Sequence, residues 1–176
     1  GGIINVPAIL ITMFLCILLV RGTKETVMIN RILVFVKLAV IVIFFVLAVP
    51  NIDPTNWDPF LPYGTQGISA GAAIVFFAYI GFDAVATSAE EAKNPSRDLP
   101  IGILGSLGVC AVLYFFVALV LTGVVPYTDL NNAEPVAYAL RVIGYPIGSA
   151  IVAVGAICGI TTVLLVLLYG QARVFF

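Results

Sequence analysis

The run ILVFVKLAVIVIFFVLAV, residues Ile32–Val49, contains a single charged side chain, Lys37. An α-helix rises about 1.5 Å per residue, so about 20 mainly apolar residues cross the roughly 30 Å hydrocarbon core of a bilayer. The whole chain has this character: 62% of its 176 residues are hydrophobic, 10% are charged, and the mean hydropathy is +1.18. A soluble domain carries about 25% charged residues. The sequence therefore predicts an all-α, polytopic transmembrane helix bundle.

Five segments are apolar and long enough to be membrane spans, all within one domain over residues 1–176. They are about Val6–Val20, Asn30–Val49, Gly67–Ser88, Leu99–Val125 and Tyr145–Gly170, and we expect the first to be truncated at its start. None alternates with the two-residue period of a β-barrel wall, so we expect helices. The chain has no initiator methionine and stops directly after an apolar segment, so we expect a partial sequence.

The loops between these segments alternate in charge. The first and third loops and the residues after the fifth segment are basic, with Arg21, Lys24, Arg31, Lys93, Arg97 and Arg173. The loop at 51–66 has no Lys or Arg, and the loop at 126–142 has only Arg141. Because Lys and Arg favour cytoplasmic loops, the basic loops are predicted to lie in the cytoplasm and the other two outside.

Local signals add three expectations about the loops. Trp57, Phe60 and Tyr63 are placed at the outer membrane interface, where amphipathic rings are favoured. Asp98 follows Asn94-Pro95-Ser96 and is predicted to be the N-cap of the fourth helix. Residues Pro135–Val142 are predicted to form a short interfacial helix.

Lys37 is one of two ionisable residues well inside the apolar segments. A charge at that depth costs roughly 2.5–3.5 kcal/mol on insertion scales. The plain interpretation is a lysine whose stem reaches back to the interface. The functional interpretation is a cation facing the bundle interior; because burial disfavours its charged form, such a group can exchange protons during transport.

The other intramembrane ionisable residue is Asp83, which follows Gly81 and the aromatic residues Phe76, Phe77, Tyr79 and Phe82. A glycine at this depth can mark a discontinuous membrane helix, whose bared carbonyls and amides meet a substrate at the midplane. It can equally permit close packing of a continuous helix. The residues alone leave both structures open.

Several kinds of site have no support. There is no histidine, and Cys16, Cys110 and Cys158 lie in apolar runs without metal-ligand spacing, so we predict no metal site, no cofactor and no catalytic residues. The net charge of −1 does not indicate a nucleic-acid partner. The charges Glu90, Glu91, Lys93 and Arg97 are interpreted as a solvated cytoplasmic loop or, alternatively, as an inner-gate network of ion pairs.

Four stretches of the sequence resemble one transporter family. FFAYIGFDAVATSAEEAKNPSRDLP (Phe76–Pro100) is similar to the sixth transmembrane helix and following loop of cationic amino acid transporters, within the amino acid–polyamine–organocation superfamily. Further likeness lies in KETVMINRILVFVKLAV, NWDPFLPYGTQG and GAICGITTVLLVLLYGQARVFF. The resemblance implies an inverted-repeat transporter fold, of which this chain holds the fourth to eighth helices, with the sixth broken near Phe77–Gly81.

The resemblance also implies site residues. The carbonyls of Phe77, Ala78 and Ile80 would receive the substrate ammonium group, Phe77 would close over the substrate, and Asp83 would line the pocket or the cytoplasmic route. Lys37 would stand where sodium binds in sodium-coupled relatives. Thr161 and Thr162 would border that position.

The expected function is secondary active transport of a cationic or small neutral amino acid by alternating access, coupled to protons and independent of sodium. The expected partners are this substrate, protons and membrane lipid, and the expected location is the plasma membrane. A channel or an intramembrane enzyme remains a weaker alternative, because the polar positions cluster at one depth and Asp83 has no partner aspartate in the chain.

Overall fold

The computed structural model describes residues 6–21, 23–81 and 94–174. In these ranges the chain forms helices, turns and loops, without a strand. The α-helices, numbered here in chain order, are α1 (Val6–Arg21), α2 (Thr23–Ala48), α3 (Gly64–Val75), α4 (Pro95–Val124), α5 (Pro135–Val142) and α6 (Pro146–Val174). Short 3₁₀ turns cover Val49–Asn51, Pro54–Trp57, Phe76–Tyr79 and Tyr127–Leu130.

Three described helices are long and apolar enough to cross a membrane: Met28–Asn51, Pro95–Val124 and Pro146–Gln171. They coincide with the second, fourth and fifth segments of the sequence prediction. The first predicted span is the 16-residue helix α1, and the third is α3 with 12 residues, followed by a 3₁₀ turn. The predicted all-helical class is therefore confirmed, and the long uninterrupted helices among the described residues number three.

Helices α2 and α6 pack closely together through glycines of α6. A β-carbon at Gly155 would lie 2.7 Å from Val40 Cγ1, and one at Gly148 would lie 2.6 Å from Leu47 Cδ1. Residue number rises from Val40 to Leu47 as it falls from Gly155 to Gly148, so the two helices run antiparallel. Small residues at such positions let helix backbones approach and gain van der Waals contact.

One end of the bundle holds the main buried cluster. It joins the end of α2, the end of α4, the short helix α5 and the start of α6, and we call it the packed end. Its buried residues are Phe44, Ala48, Val120, Val124, Val125, Ala137, Ala139, Leu140 and Val152. Helix α5 spans Pro135–Val142, as predicted. Its fully buried Ala139 and Leu140 show that α5 belongs to this core.

The loop after α2 is fastened to the packed end. The backbone N–H of Asp53 and the side-chain amide of Asn56 both donate to the Gly123 carbonyl at 2.9 Å, and Trp57 Nε1 donates to Thr122 Oγ1 at 3.2 Å. Asp53 in turn caps the turn Pro54–Trp57, where hydrogen bonds from the Thr55 hydroxyl and backbone N–H lower the pKa of Asp53.

Trp57 differs from Phe60 and Tyr63, the other two aromatic residues predicted at the outer membrane interface. Its indole lies against α4, where a β-carbon at Gly123 would come within 2.7 Å of Trp57 Cζ2. Phe60 and Tyr63 are exposed. Trp57 therefore packs between the loop and α4. Its indole fits there because Gly123 has no β-carbon.

The N-terminus of α4 corrects the prediction for Asp98. The helix begins at Pro95, a residue suited to the first helical position, and Asn94 occupies the N-cap position. Asp98 lies in the first turn, and its carboxylate accepts the Asn94 backbone N–H at 3.2 Å. Asp98 thus satisfies an exposed N–H from within the helix instead of preceding it.

Gly155→Ala is expected to lower the stability of the full-length protein by about 1–3 kcal/mol, the usual cost of overpacking. The added methyl would meet the β-branched side chain of Val40, which is stiff about χ1 and cannot swing away. Removing the obstacle in Val40→Ala/Gly155→Ala should recover part of the loss in a thermal unfolding assay in detergent. Losses that simply add would contradict this packing.

Candidate functional site

The backbone leaves the α-helical conformation directly after α3. The α-helix ends at Val75, Phe76–Tyr79 form a 3₁₀ turn, and Ile80 adopts ψ 133°, outside the helical range. Gly81 then has φ 130°, in the region that favours glycine because it carries no β-carbon. The α-helical hydrogen-bond ladder therefore stops at Phe76, whose backbone N–H still donates to the Ala72 carbonyl. This point lies inside the segment predicted from the sequence as the third span.

The carbonyls of this turn have different partners. The Phe77 carbonyl accepts the Ile80 backbone N–H at 3.3 Å, which closes the 3₁₀ turn. The Ala78 carbonyl accepts the hydroxyl of Tyr114 from α4 at 3.3 Å. Among the predicted carbonyl ligands, Phe77 is thus tied to the backbone, while Ala78 already binds a side-chain donor. Phe77 is 71% exposed in this chain.

Tyr114 was missed by the sequence reasoning. It lies in the apolar run of α4, and its ring meets that of Tyr79 edge-on, with centroids 5.4 Å apart. A tyrosine hydroxyl deep in an apolar helix requires a hydrogen-bond partner, and this was the available signal. Which partner it has depends on the packing of α4 beside the turn Phe76–Tyr79, which no local pattern reveals.

The charged part of the predicted site is only partly covered by the structure. Asp83, Glu90, Glu91 and Lys93 lie outside the described residues. Arg97 is exposed in the first turn of α4 and has no ion pair within the described ranges. Among the described residues, a salt bridge of 3.6 Å joins two exposed side chains, those of Arg141 on α5 and of Glu134 directly before it.

Lys37 lies on the face of α2 that continues into the buried core. Residues seven and eleven positions apart fall on nearly the same side of an α-helix, which places Lys37 in line with Phe44 and Ala48. Phe44 is 2% exposed and Ala48 is fully buried. Lys37 itself is half-buried and has no hydrogen bond or ion pair with the described residues.

Thr161 and Thr162 lie on α6, the helix that packs against α2. By the register of Val40 with Gly155, Lys37 is level with Cys158, so Thr161 is displaced by three residues, or about 4.5 Å, along the axis. Thr161 donates to the Ile157 carbonyl at 2.8 Å and the buried Thr162 to the Gly159 carbonyl at 2.6 Å. Both hydroxyls thus bond their own helix, and each keeps acceptor capacity.

Asn30, another polar residue of α2, was not identified as a site residue from the sequence. It precedes Lys37 by seven residues and so lies on the same face of the helix. Its Oδ1 is buried without a hydrogen-bond partner among the described residues. The face of α2 that leads to Phe44 therefore carries two polar side chains, Asn30 and Lys37, with Leu33 and Val34 between them.

Comparison with known proteins identifies relatives along the whole chain. The sequence profile described as amino acid permease matches residues 3–176. The methylthioribose transporter of Bacillus subtilis (strain 168) is 46% identical over 176 residues, covering 100% of this chain and 38% of that protein. The branched-chain amino acid permease BcaP of the same organism is 46% identical over 173 residues, covering 98% of this chain and 37% of that protein.

A plant relative shows the same pattern. The chloroplastic cationic amino acid transporter 9 of Arabidopsis thaliana is 44% identical over 177 residues, covering 99% of this chain and 31% of that protein. The chain therefore spans less than two-fifths of the length of these relatives. All three are named as transporters or permeases, and none as an enzyme.

The helix interruption, the three long apolar helices and the match over residues 3–176 agree with one another. They describe part of an integral membrane protein of a permease family, not of an enzyme family. The chain belongs to the amino acid permease family.

Proposed function

We propose that the protein carries an amino acid across a membrane by secondary active transport. It alternates between a state whose binding site opens to one side of the membrane and a state whose binding site opens to the other. The observation that carries the proposal is the turn Phe76–Gly81, where the α-helical ladder stops and the Ala78 carbonyl faces a side-chain donor. Interrupted membrane helices supply carbonyls that bind charged groups at the midplane. Membership in the permease family supports a small-molecule substrate for these groups.

The substrate ammonium group is proposed to bind the carbonyls of Ala78 and Ile80, with the exposed Phe77 ring closing over it. Phe77 contributes its ring more than its carbonyl, because that carbonyl already accepts the Ile80 N–H. An ammonium group donates charge-assisted hydrogen bonds, which are roughly twice as strong as neutral ones. Asp83 is proposed to line the same pocket or the route to the cytoplasm.

Proton coupling is proposed to depend on Lys37, beside Thr161 and Thr162. Its position in line with buried Phe44 supports a side chain directed into the bundle instead of towards lipid. A protonated and a neutral lysine interact differently with neighbouring carbonyls, so the two charge states can favour two conformations. A lysine charge here would also make a sodium ion unnecessary.

The proposed topology places the packed end outside the cell and the start of α4 in the cytoplasm, in the plasma membrane. In a variant without native cysteines, a cysteine at Asn131 is expected to react with an impermeant thiol reagent added outside intact cells. A cysteine at Ser96 should react only after permeabilisation. Both positions are exposed in the folded chain, so sidedness decides the result. The reverse pattern would overturn the orientation.

The test of function is uptake by the full-length protein in proteoliposomes, with a labelled panel of cationic, branched-chain and small neutral amino acids. Methylthioribose belongs in the panel, because a relative named for it is 46% identical. Saturable uptake that also exchanges internal for external substrate is expected for a carrier. Uptake that does not saturate would favour a channel, and uptake of methylthioribose alone would refute the amino-acid assignment.

A further inference from the structure

The hydroxyl of Tyr114 occupies the carbonyl at which the proposed function places the substrate. Its oxygen lies 3.3 Å from the Ala78 carbonyl oxygen, and its ring lies edge-on to that of Tyr79. The ring contact fixes the tyrosine beside the turn Phe76–Tyr79. The hydroxyl therefore reaches Ala78 from another helix, α4, and not from the turn itself.

This hydrogen bond is well suited to being replaced. Hydroxyl-to-oxygen hydrogen bonds are most often about 2.7–2.8 Å long, so a bond of 3.3 Å is weak. The tyrosine donor is neutral, whereas an ammonium donor is charged and forms the stronger bond. A carbonyl that already serves one donor, with two aromatic rings beside it, also offers a second donor less room. The Ala78 carbonyl thus favours whichever donor is charged.

We propose that Tyr114 is a positioning residue whose hydroxyl competes with the substrate amine for the Ala78 carbonyl. This inference rests on the proposed function and names a specificity device within it. An amino acid displaces the hydroxyl because its charge compensates for the lost bond, whereas a molecule of the same shape without an amine does not. Displacement also frees α4 from the turn at that point, leaving the Tyr79 ring contact.

The test is Tyr114→Phe in the full-length protein, which removes the hydroxyl and keeps the ring. With L-alanine and L-lysine as probes, the dissociation constant is expected to fall by about three- to tenfold, the effect of one competing hydrogen bond. Inhibition by lactate, which resembles alanine without its amine, should not improve. Tyr79→Phe is the matched control: it removes a hydroxyl from the same aromatic pair and should change the dissociation constants by less than about twofold.

An unchanged or weaker affinity in a Tyr114→Phe protein with wild-type melting temperature would overturn the inference, as would an equal gain for lactate. In those cases the wild-type protein still binds amino acids, so the proposed function stands. If the wild-type protein binds neither probe nor any other amino acid, the proposed function fails and the competition at Ala78 fails with it.

Discussion

Lys37→Ala is expected to abolish the acceleration of uptake at low pH while part of the amino-acid binding survives. Coupling between two sites commonly amounts to about 1–3 kcal/mol, or about 5- to 150-fold. The wild-type protein should therefore transport at least about fivefold faster in an acidic than in an alkaline external medium. The variant lacks the group whose charge distinguishes the two conformations, so its profile should be flat.

The position of Lys37 gives the reason to expect so large an effect. A lysine that merely reaches back to the interface would be dispensable. Lys37 instead shares its helix face with Phe44, which is buried in the core, and with Asn30, whose Oδ1 is buried without a described partner. We expect a charged group on that face to influence the packing of α2 against α6, which holds Thr161 and Thr162.

Lys37→Arg is the matched control for charge. It keeps the cation, but a guanidinium group does not release its proton in proteins. It should therefore transport poorly at every pH, whereas Lys37→Ala should bind substrate without responding to pH. The measurement is uptake by the full-length protein across a pH series, with and without a sodium gradient. A wild-type pH profile in Lys37→Ala, or a sodium requirement in the wild-type protein, would refute coupling through this lysine.

Gly81→Ala is expected to reduce uptake by about tenfold through the backbone alone. Gly81 has φ 130°, and a residue with a β-carbon is strained there by about 1–3 kcal/mol. The alanine backbone would relax towards negative φ and change the direction of the Ile80 carbonyl. Because the substrate amine is proposed to bind there, the loss should appear mainly as weaker apparent affinity.

Gly71→Ala separates this backbone effect from the effect of an added methyl group. At Gly71, as at Gly81, a β-carbon would meet no described atom within 4 Å. Gly71 lies inside α3 without a positive φ, so alanine should stabilise the helix there by about 1 kcal/mol. Uptake by Gly71→Ala should match the wild-type protein. Equal losses in the two variants would show that the φ of Gly81 is not the cause.

The long helices α2, α4 and α6 were predictable because each is an apolar run that no strand period fits. The start of α4 was not, since Asn94-Pro95-Ser96 reads as a chain break although proline is well tolerated at the first helical position. The face of Lys37 was also predictable in principle, because Phe44 follows it by seven residues. The place of Trp57 was not, because the gap it fills lies at Gly123, far along the chain.

Part of the candidate site was likewise predictable from the sequence, and part was not. The glycine and the aromatic residues at 76–82 left a broken and a continuous helix both open, and the resemblance to cationic amino acid transporters favoured the break. The partners of the carbonyls did not follow from it: Phe77 closes the turn with Ile80, and Ala78 accepts Tyr114. The second of these bonds depends on how two distant segments pack, and tertiary packing of this kind leaves no periodic pattern in the sequence.

The most direct test of the central claim is a structure of the full-length protein with a transported amino acid bound. The measurement is the distance from the substrate nitrogen to the Ala78 carbonyl oxygen. The account predicts a hydrogen bond of about 2.7–3.2 Å, with α-helical bonding still interrupted at Phe76–Gly81. An amino acid bound away from this turn, or regular helical hydrogen bonds through Ala78–Asp83, would contradict it.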